Sequence, residues 1–300
     1  MSKVIVTGGK GFIGSHLVDK LIDLKYEVHV IDDESAESNE KFYENENAIY
    51  HKISINDLNK NNSTFFKNAI VVFHLAAESR IGPAIKDPLK AIKVNVLGTG
   101  ILLELSRHFN IKKFIYSSTS SVYGLKCKIP TDEKTDIDCL NPYSATKFGG
   151  EELVRMYSKM YNLDTCIFRY FNVFGERSPT KGVYAPVIGL FFKALESNEN
   201  LKIVGDGEQR RDFVHVNDVV SANILAFKHD NLLNGEVFNV GCGKNYSINE
   251  IASFISKNSE YIPFREGEAR NTLANIDKIK NILNYTPNFD VKQWIDDYKK

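Results

Sequence analysis

Short apolar runs rich in β-branched residues alternate with longer amphipathic segments through the first half of the chain. The runs KVIVTG, YEVHVIDD, AIVVFHLAA and KKFIYSS predict buried strands. The segment FIGSHLVDKLIDL carries apolar residues at helical spacing, at Ile13, Leu17, Leu21 and Leu24. Strands that alternate with helices pair in parallel through crossover connections, so the pattern predicts an α/β fold with a Rossmann-type, doubly wound parallel sheet.

Two further segments predict long helices. They are DPLKAIKVNVLGTGILLELSRHF and NPYSATKFGGEELVRMYSKMY, and the second begins with Pro142, a favourable first helical residue. From about Phe171 the loops lengthen and Gly and Pro cluster. We therefore expect a nucleotide-binding domain over residues 1–170 and a smaller C-terminal α/β lobe over residues 171–300. A segment around residues 213–241 is expected to return to the first domain.

Composition narrows the possible partners. The chain has 300 residues, and Lys plus Arg equals Asp plus Glu at 38 each. This balance argues against a general nucleic-acid or membrane surface. The four cysteines show no pairing pattern and predict free thiols, and no metal site is predicted. Without a signal-peptide pattern or an apolar run of ~18 residues, a cytoplasmic protein is expected.

Glycines mark the turn after the first predicted strand, in the segment VTGGKGFIGSHL. Gly8, Gly11 and Gly14 permit a tight turn, close approach of the backbone to a pyrophosphate, and packing of the next helix on the strand. Asp32 follows the second strand, where a carboxylate accepts both hydroxyls of a ribose. Since no Arg or Lys follows closely to meet a 2′-phosphate, the segment predicts NAD rather than NADP.

Tyr143 and Lys147 are four residues apart at the start of a predicted helix, so they share one face. A phenol ordinarily ionises near pH ~10. A neighbouring ammonium and an oxidised nicotinamide would both stabilise the phenolate and make Tyr143 a general base at neutral pH. The pair alone is common by chance. Its combination with the glycine turn and the hydroxyl-rich segment YSSTSSVYG favours catalysis over a solvated helix end.

Motifs along nearly the whole chain carry a family resemblance. In order they are TGGKGFIGSHL, HLAAES, NVLGT, YSSTSSVYG, NPYSATK, RYFNVFG, GDGEQRRDFVHVNDV and FREGEARNTLANI. The chain resembles the extended short-chain dehydrogenase/reductase family, in particular nucleotide-sugar 4-epimerases of the UDP-glucose/UDP-N-acetylglucosamine type. The resemblance implies that Tyr143 takes the proton of the sugar 4-hydroxyl while NAD takes the hydride from carbon 4. The keto sugar then turns over and receives the same hydride on its other face.

The resemblance makes Thr119 the third catalytic residue, with a hydrogen bond to the sugar 4-oxygen beside Tyr143. Dehydratase relatives carry Asp and Glu at the next two positions, and decarboxylating relatives carry a Glu at the second. This chain has Ser120 and Ser121 there. Serine is a poor acid and base, so dehydration is disfavoured.

Cofactor contacts are implied by the same resemblance. Ser54 stands where the family usually has an Asp that contacts adenine, so adenine recognition is expected to be weaker or carried by Ile55. The implied cofactor-binding residues are Gly8, Gly11, Phe12, Ile13, Gly14, Asp32, Asp33, Ser54, Ile55, Leu75, Ala76, Ala77, Asn95, Ser117, Tyr143, Lys147 and Tyr170. His74 is expected to be structural, and Ser117 and Ser118 are expected to cap the strand end and border the nicotinamide.

Substrate contacts are implied mainly in the second lobe. Asn172, Arg211 and Arg265 would bind the diphosphate, with Arg270 as a weaker candidate. Glu268 would hold the ribose, and Val204 would pack on the uracil. The implied substrate-binding residues are Ser79, Thr119, Ser120, Tyr143, Asn172, Tyr184, Ala185, Val204, Arg211, Arg265, Glu268 and Thr272. Asp218, by its own pattern, is expected to cap the helix that follows it.

Thr272 suggests which sugars fit the pocket. In the family, a Tyr at this position restricts the pocket to plain hexoses, whereas a smaller residue leaves room for an N-acetyl group. A UDP-hexose or UDP-N-acetylhexosamine is therefore expected, and the protein is expected to form a homodimer through a contact of four helices. UDP-glucuronate remains an alternative, with Arg80 or Arg177 as carboxylate-binding candidates. The motifs are also compatible with a different nucleotide-sugar epimerase, reductase or dehydratase of the family, and with an NAD sensor without catalysis.

Overall fold

The computed structural model describes residues 1–36, 39–125, 128–181, 185–264 and 269–299. The strands are β1 (Lys3–Thr7), β2 (Glu27–Ile31), β3 (Ile49–His51), β4 (Ala69–His74), β5 (Lys113–Thr119), β6 (Asp164–Tyr170), β7 (Asn172–Phe174), β8 (Leu201–Val204), β9 (Arg210–His215), β10 (Glu236–Val240), β11 (Asn245–Ser247) and β12 (Ser259–Ile262). The helices are α1 (Phe12–Asp23), α2 (Ile81–Lys86), α3 (Pro88–Ile92), α4 (Thr99–His108), α5 (Pro142–Tyr161), α6 (Val187–Glu196), α7 (Val216–Lys228), α8 (Ile248–Ile255), α9 (Asp277–Leu283) and α10 (Val291–Tyr298).

A seven-stranded parallel sheet forms the centre of the molecule, in the order β10-β6-β5-β4-β1-β2-β3. Its strands are apolar on both faces because helices cover both faces. Leu17 of α1 and Val219 of α7 pack on one face, and Leu102 of α4 and Val154 of α5 pack on the other. The predicted doubly wound α/β fold is confirmed. The strand β10 joins this sheet beside β6, although it follows β7, β8 and β9 in the chain.

A second layer of short strands lies beyond the carboxyl end of β6. It contains a three-stranded sheet, β11-β9-β7, and a two-stranded sheet, β12-β8. Phe174, Phe191 and Ile251 belong to a separate apolar core that α6, α8 and α10 complete. A single residue, Phe171, connects β6 to β7, so the chain passes directly from the main sheet into this lobe.

The start of α5 is fixed by local signals. The side chain of Asn141 accepts a hydrogen bond from the backbone N–H of Ser144 at 3.0 Å, and Ser144 Oγ accepts one from the N–H of Asn141 at 3.3 Å. This reciprocal cap is followed by Pro142, whose missing N–H costs nothing in the first turn. Tyr143 is therefore held in the first turn of a stable helix.

Two predictions about helices are wrong. The single helix predicted before His108 is interrupted by a π-helix at Lys93–Gly98, where the Asn95 side chain bonds outward to Glu78 and Thr146. Asp218 does not cap α7. The ring of His215 accepts from the N–H at position 217, at 3.2 Å. Asp218 instead accepts bonds from the backbone N–H groups at positions 288 and 289, which ties the C-terminal segment to α7.

No helix in the described part of the chain is long and apolar enough to cross a lipid bilayer.

Candidate active site

A cavity of about 550 Å³ lies between the carboxyl ends of the parallel strands and the second lobe. Gly8, Leu75 and Thr119 line it from the sheet side, and Val204 and Phe213 line it from the lobe. Parallel α/β sheets bind ligands at this edge because the strand ends and helix N-termini converge there. The cavity thus has one wall from the main sheet and one from the second lobe.

The glycine turn between β1 and α1 forms one end of the cavity. Gly8 has φ 69°, a left-handed conformation that favours glycine. A Cβ at Gly14 would lie 2.1 Å from the carbonyl oxygen of Gly8, so no side chain fits there. The turn thus leaves open backbone at the N-terminus of α1, which fits a dinucleotide pyrophosphate.

Asp32 lies beside this turn. Its carboxylate accepts bonds from the backbone N–H of Lys10 at 3.0 Å and of Glu34 at 2.9 Å. The ammonium of Lys10 is paired with the carboxylates of Glu34 and Glu44. Sequence reasoning missed these pairs, although Lys10 stands inside the glycine motif. They fix the loop after β2 against the glycine turn.

Thr119 and Tyr143 come together at the middle of the cavity. Thr119 ends β5 and accepts a bond from the N–H of Ser121 at 3.1 Å. Tyr143 keeps one face toward the cavity, and burial of the rest of its ring raises the pKa of its phenol. A hydrogen bond with Thr119 and the positive charge of Arg80 oppose that rise in pKa. Thr119 and Arg80 therefore offset only part of the effect of burial on the pKa of the phenol.

Lys147 lies one helical turn beyond Tyr143 and is buried. Burial lowers the pKa of Lys147 to about 7, while the negative charge of Glu151 acts in the opposite direction. The ammonium sits over the ring of Tyr116, 4.4 Å from its centroid. A bound anion or phenolate next to Lys147 would favour its charged form.

The structure brings nearly all the predicted cofactor residues to this cavity. Those that line it are Gly8, Gly11, Phe12, Ile13, Gly14, Asp32, Asp33, Ser54, Ile55, Leu75, Ala76, Ala77, Ser117, Tyr143, Lys147 and Tyr170. Asn95 does not line it. Its buried side chain instead joins Glu78 to Thr146 of α5, so its contribution is to hold the segment after β4 in place.

The side chains of Ser117 and Ser118 do not cap the strand end as predicted. The hydroxyl of Ser117 lies 3.1 Å from that of Tyr170, and Ser118 donates to the Glu151 carboxylate at 2.5 Å. Both hydroxyls are satisfied inside the protein. His74 is buried between the hydroxyls of two threonines, at 2.8 and 2.9 Å, in keeping with a structural role.

The predicted substrate residues that the structure describes all line the same cavity. They are Ser79, Thr119, Ser120, Tyr143, Asn172, Ala185, Val204, Arg211 and Thr272. Tyr184, Arg265 and Glu268 lie outside the described residues. The hydroxyl of Thr272 accepts from the Asn172 amide at 3.4 Å and from the N–H of Asp212 at 3.3 Å. These bonds fix Thr272 and Asn172 side by side on the cavity wall.

The structure places three further arginines in different surroundings. Arg80 lines the cavity and its charge acts on Tyr143. Arg177 instead pairs with Asp19 at 2.7 Å. Arg270 forms two bonds of 2.8 Å to Asp206 at an exposed position, and it is not among the residues that line the cavity. Sequence alone did not separate Arg80 from Arg177, because the pairing of Arg177 with Asp19 joins positions far apart in the chain.

Comparison with known families gives one match over most of the chain. Residues 4–241 match the model of the NAD dependent epimerase/dehydratase family. A putative UDP-glucose 4-epimerase of Methanocaldococcus jannaschii is 36% identical over 299 residues, which cover 97% of this chain and 95% of the relative. A UDP-glucuronate 4-epimerase of Thermodesulfobacterium geofontis is 32% identical, over 98% of this chain and 94% of the relative.

Solved structures show the same likeness. The UDP-glucose 4-epimerase of Thermotoga maritima, determined with UDP-glucose, superposes with a TM-score of 0.91 at 34% identity, covering 98% of this chain and 96% of the other. The UDP-N-acetylglucosamine 4-epimerase of Methanobrevibacter ruminantium, determined with UDP-N-acetylmuramic acid, gives the same TM-score of 0.91, identity of 34% and coverage of 98% and 96%. The resemblance first carried by the motifs is confirmed.

Proposed function

The chain belongs to the NAD dependent epimerase/dehydratase family, and we propose that it inverts carbon 4 of a UDP-hexose or UDP-N-acetylhexosamine. The observation that carries the proposal is the meeting of Thr119, Tyr143 and Lys147 in one cavity. A glycine turn suited to a pyrophosphate closes one end of that cavity, and Asn172 and Arg211 line the other. Cofactor and sugar would thus meet at the Tyr143 phenol.

NAD fits the first end of the cavity. The open backbone of Gly8, Gly11 and Gly14 would hold its pyrophosphate, and the Asp32 carboxylate would accept the ribose hydroxyls. When bound, NAD supplies a reversible hydride acceptor for carbon 4 of the sugar. Since the cofactor ends each cycle unchanged, the protein needs no second substrate.

Tyr143 would act as the base and then as the acid. Its phenolate accepts the proton from the sugar 4-hydroxyl, and the phenol returns that proton after the sugar has turned. Lys147, in its ammonium form, stabilises the phenolate from one turn along α5. The hydroxyl of Thr119 hydrogen-bonds the 4-oxygen and keeps it beside the phenol. Tyr143 and Thr119 thus act on the sugar 4-oxygen, and Lys147 acts on the phenolate oxygen of Tyr143.

Ser120 and Ser121 favour epimerisation over dehydration. Both line the cavity next to Thr119. Expulsion of water from a carbon next to the 4-keto group needs a base for the C–H bond and an acid for the leaving hydroxyl. A serine hydroxyl performs neither task well. Chemistry at this site is thereby limited to carbon 4 and its oxygen.

The nucleotide end is proposed to grip the substrate while the sugar is held loosely. Arg211 and Asn172 would bind the diphosphate, and Val204 would pack against the base. Arg265, Glu268 and Tyr184 complete this end by their sequence motifs alone. A firm grip on the nucleotide lets the keto sugar rotate without leaving the cavity.

A UDP-uronate is the second candidate substrate, because Arg80 lines the cavity beside Tyr143. A guanidinium there could pair with a sugar carboxylate. Replacement of Arg80 by Met would then lower kcat/KM for UDP-glucuronate by about tenfold or more relative to UDP-glucose. An unchanged ratio would remove the uronate from consideration.

The homodimer is proposed from exposed apolar side chains on neighbouring helical segments. Leu89 and Leu97 are 77% and 54% exposed in the segment that leads through α3 to α4, and Met160 on α5 is 69% exposed. Two copies of this surface would bury these side chains in a contact of four helices.

One assay tests the proposed reaction. The purified protein is incubated with UDP-glucose, UDP-N-acetylglucosamine or UDP-glucuronate, without added cofactor, and the sugars are followed by NMR. We expect the 4-epimer of at least one of them to form. A protein that carries NAD and converts none of the three would contradict the proposal.

A further inference from the structure

Glu151 lies on the same face of α5 as the two predicted catalytic residues of that helix. Tyr143, Lys147 and Glu151 follow one another at intervals of four residues, so their side chains stack along the helix. Glu151 is 0% exposed and does not line the cavity. A buried carboxylate is costly unless it is paired and hydrogen-bonded, so its presence behind the site needs an explanation.

The Glu151 carboxylate joins three elements of the main domain. It accepts a bond of 2.5 Å from Ser118 of β5, and bonds of 3.0 and 2.7 Å from the guanidinium of Arg169 of β6. Arg155, one turn further along α5, adds a longer contact of 3.3 Å. Ser118 directly precedes Thr119. The carboxylate therefore ties the helix that carries Tyr143 and Lys147 to the strand that carries Thr119.

We propose that Glu151 is a positioning residue of the reaction, which fixes Thr119 through Ser118 and supplies the negative charge that keeps Lys147 an ammonium. The inference rests on the proposed function, since it assigns Glu151 a part in the chemistry of Tyr143. It differs from a purely structural role, because an ion pair with Arg169 that only held the fold together would not set the pH dependence of kcat.

Lys147 needs such a charge. Its ammonium is buried, and burial lowers the pKa of Lys147 to about 7, whereas the Glu151 charge raises it. The ammonium lies over the face of the Tyr116 ring, and a ring face is a weaker partner for a cation than a carboxylate. If Lys147 lost its proton, the Tyr143 phenolate would lose its neighbouring cation.

Several titratable groups surround the pair. Those that face Lys147 or Glu151 from the packed elements are His74, Tyr116, Tyr123, Cys139, Arg155 and Arg169. The two arginines bind the Glu151 carboxylate directly. Lys147 lies one helical turn before Glu151 on the same face of α5, and its electrostatic interaction with Glu151 is attractive.

Three variants distinguish the effect of the Glu151 charge from the effect of its side-chain shape. Glu151→Gln keeps the shape and loses the charge, Glu151→Asp keeps the charge and shortens the side chain, and Ser118→Ala keeps the carboxylate but loses its bond to β5. The measurement is kcat against pH, with bound NAD and thermal unfolding recorded for each protein. The acid limb of kcat reports ionisation of the base.

We expect Glu151→Gln to move the acid limb to higher pH by about one unit, because Lys147 deprotonates and the pKa of Tyr143 then rises. Glu151→Asp and Ser118→Ala should keep the limb at the wild-type position while kcat falls. The proposal is overturned if the acid limb of Glu151→Gln lies at the same pH as that of wild type. It is also overturned if the acid limb of Glu151→Asp moves as far as that of Glu151→Gln.

A double variant covers the case in which Glu151→Gln does not fold because Arg169 is left unpaired. Glu151→Gln with Arg169→Met removes both charges and should still shift the limb in the alkaline direction. If the wild-type protein shows no turnover, the proposed function is contradicted, and the role of Glu151 is tested without turnover.

The ultraviolet absorbance of the Tyr143 phenolate is then titrated, with Tyr143→Phe as the blank. A phenolate titration that is the same in Glu151→Gln as in wild type would overturn the inference.

Discussion

The ammonium of Lys147 lies 4.4 Å from the centroid of the Tyr116 ring, and both side chains are buried. The hydroxyl of the same Tyr116 donates to the carbonyl oxygen of Lys147 at 3.2 Å. Tyr116 of β5 thus contacts both the backbone carbonyl and the ammonium of Lys147. Because Lys147 is buried, its protonation is coupled to the stability of the fold.

Stability should depend on pH through Lys147 in the cofactor-free protein. Burial lowers the pKa of Lys147 to about 7 from a usual value of 10.5. Between these pH values the unfolded chain binds a proton that the folded chain does not, so this group makes stability rise with pH. Relative to Lys147→Met, wild type should gain about 1–3 kcal/mol in free energy of unfolding between about pH 7.5 and 9.5. Urea unfolding measures this, and a constant difference would refute it.

Tyr143→Phe removes the proton-transfer group without changing the shape of the cavity. Turnover should fall by about 10²–10⁴-fold, the usual contribution of a general base. The NAD content of the purified variant should equal that of wild type, because the glycine turn and Asp32 are untouched. Activity within a few-fold of wild type would show that another group moves the proton.

Thr272→Tyr should close the space for an acetamido group. Thr272 is fixed on the cavity wall by bonds to Asn172 and to the backbone of Asp212. A Tyr at this place is expected to lower kcat/KM for UDP-N-acetylglucosamine by about tenfold or more relative to UDP-glucose. Thr272→Val, of nearly equal volume, is the matched control and should keep the ratio. If Tyr and Val give the same ratio, Thr272 does not set sugar size.

Leu97→Asp should convert the proposed dimer to a monomer, because it places a charge in an apolar four-helix contact. Leu232→Asp is the control, since Leu232 is 68% exposed in the loop before β10, outside these helices. Sedimentation of both variants measures the change. A wild-type protein that is monomeric at the same concentration would end the dimer proposal.

Local signals made much of this fold predictable. The cap at Asn141 and the proline after it define the start of α5, and the glycine turn defines the start of α1. These features depend on residues within a few positions of each other. The site residues at strand ends, such as Thr119 and Asp32, follow from the same regularity, because parallel strands end at one edge of the sheet.

Contacts between distant residues were not predictable from a single sequence. Asp218 looks like a helix cap by its position, yet it binds backbone 70 residues away. Asn95 was expected on the cavity and lies behind it. For the pairing of Glu151 with Arg169, the sequence offered only the four-residue spacing of Glu151 after Lys147. The strand that carries the partner of Glu151 became identifiable only when β5 and β6 were seen side by side.

The central claim is that carbon 4 gives up and regains the same hydride inside the protein. The direct measurement is epimerisation of a UDP-sugar deuterated at carbon 4, in ordinary water and without added cofactor, followed by NMR and mass spectrometry. We predict that the 4-epimer keeps its deuterium at carbon 4. Loss of the deuterium to solvent would mean that the carbon is deprotonated rather than oxidised, and would contradict the account.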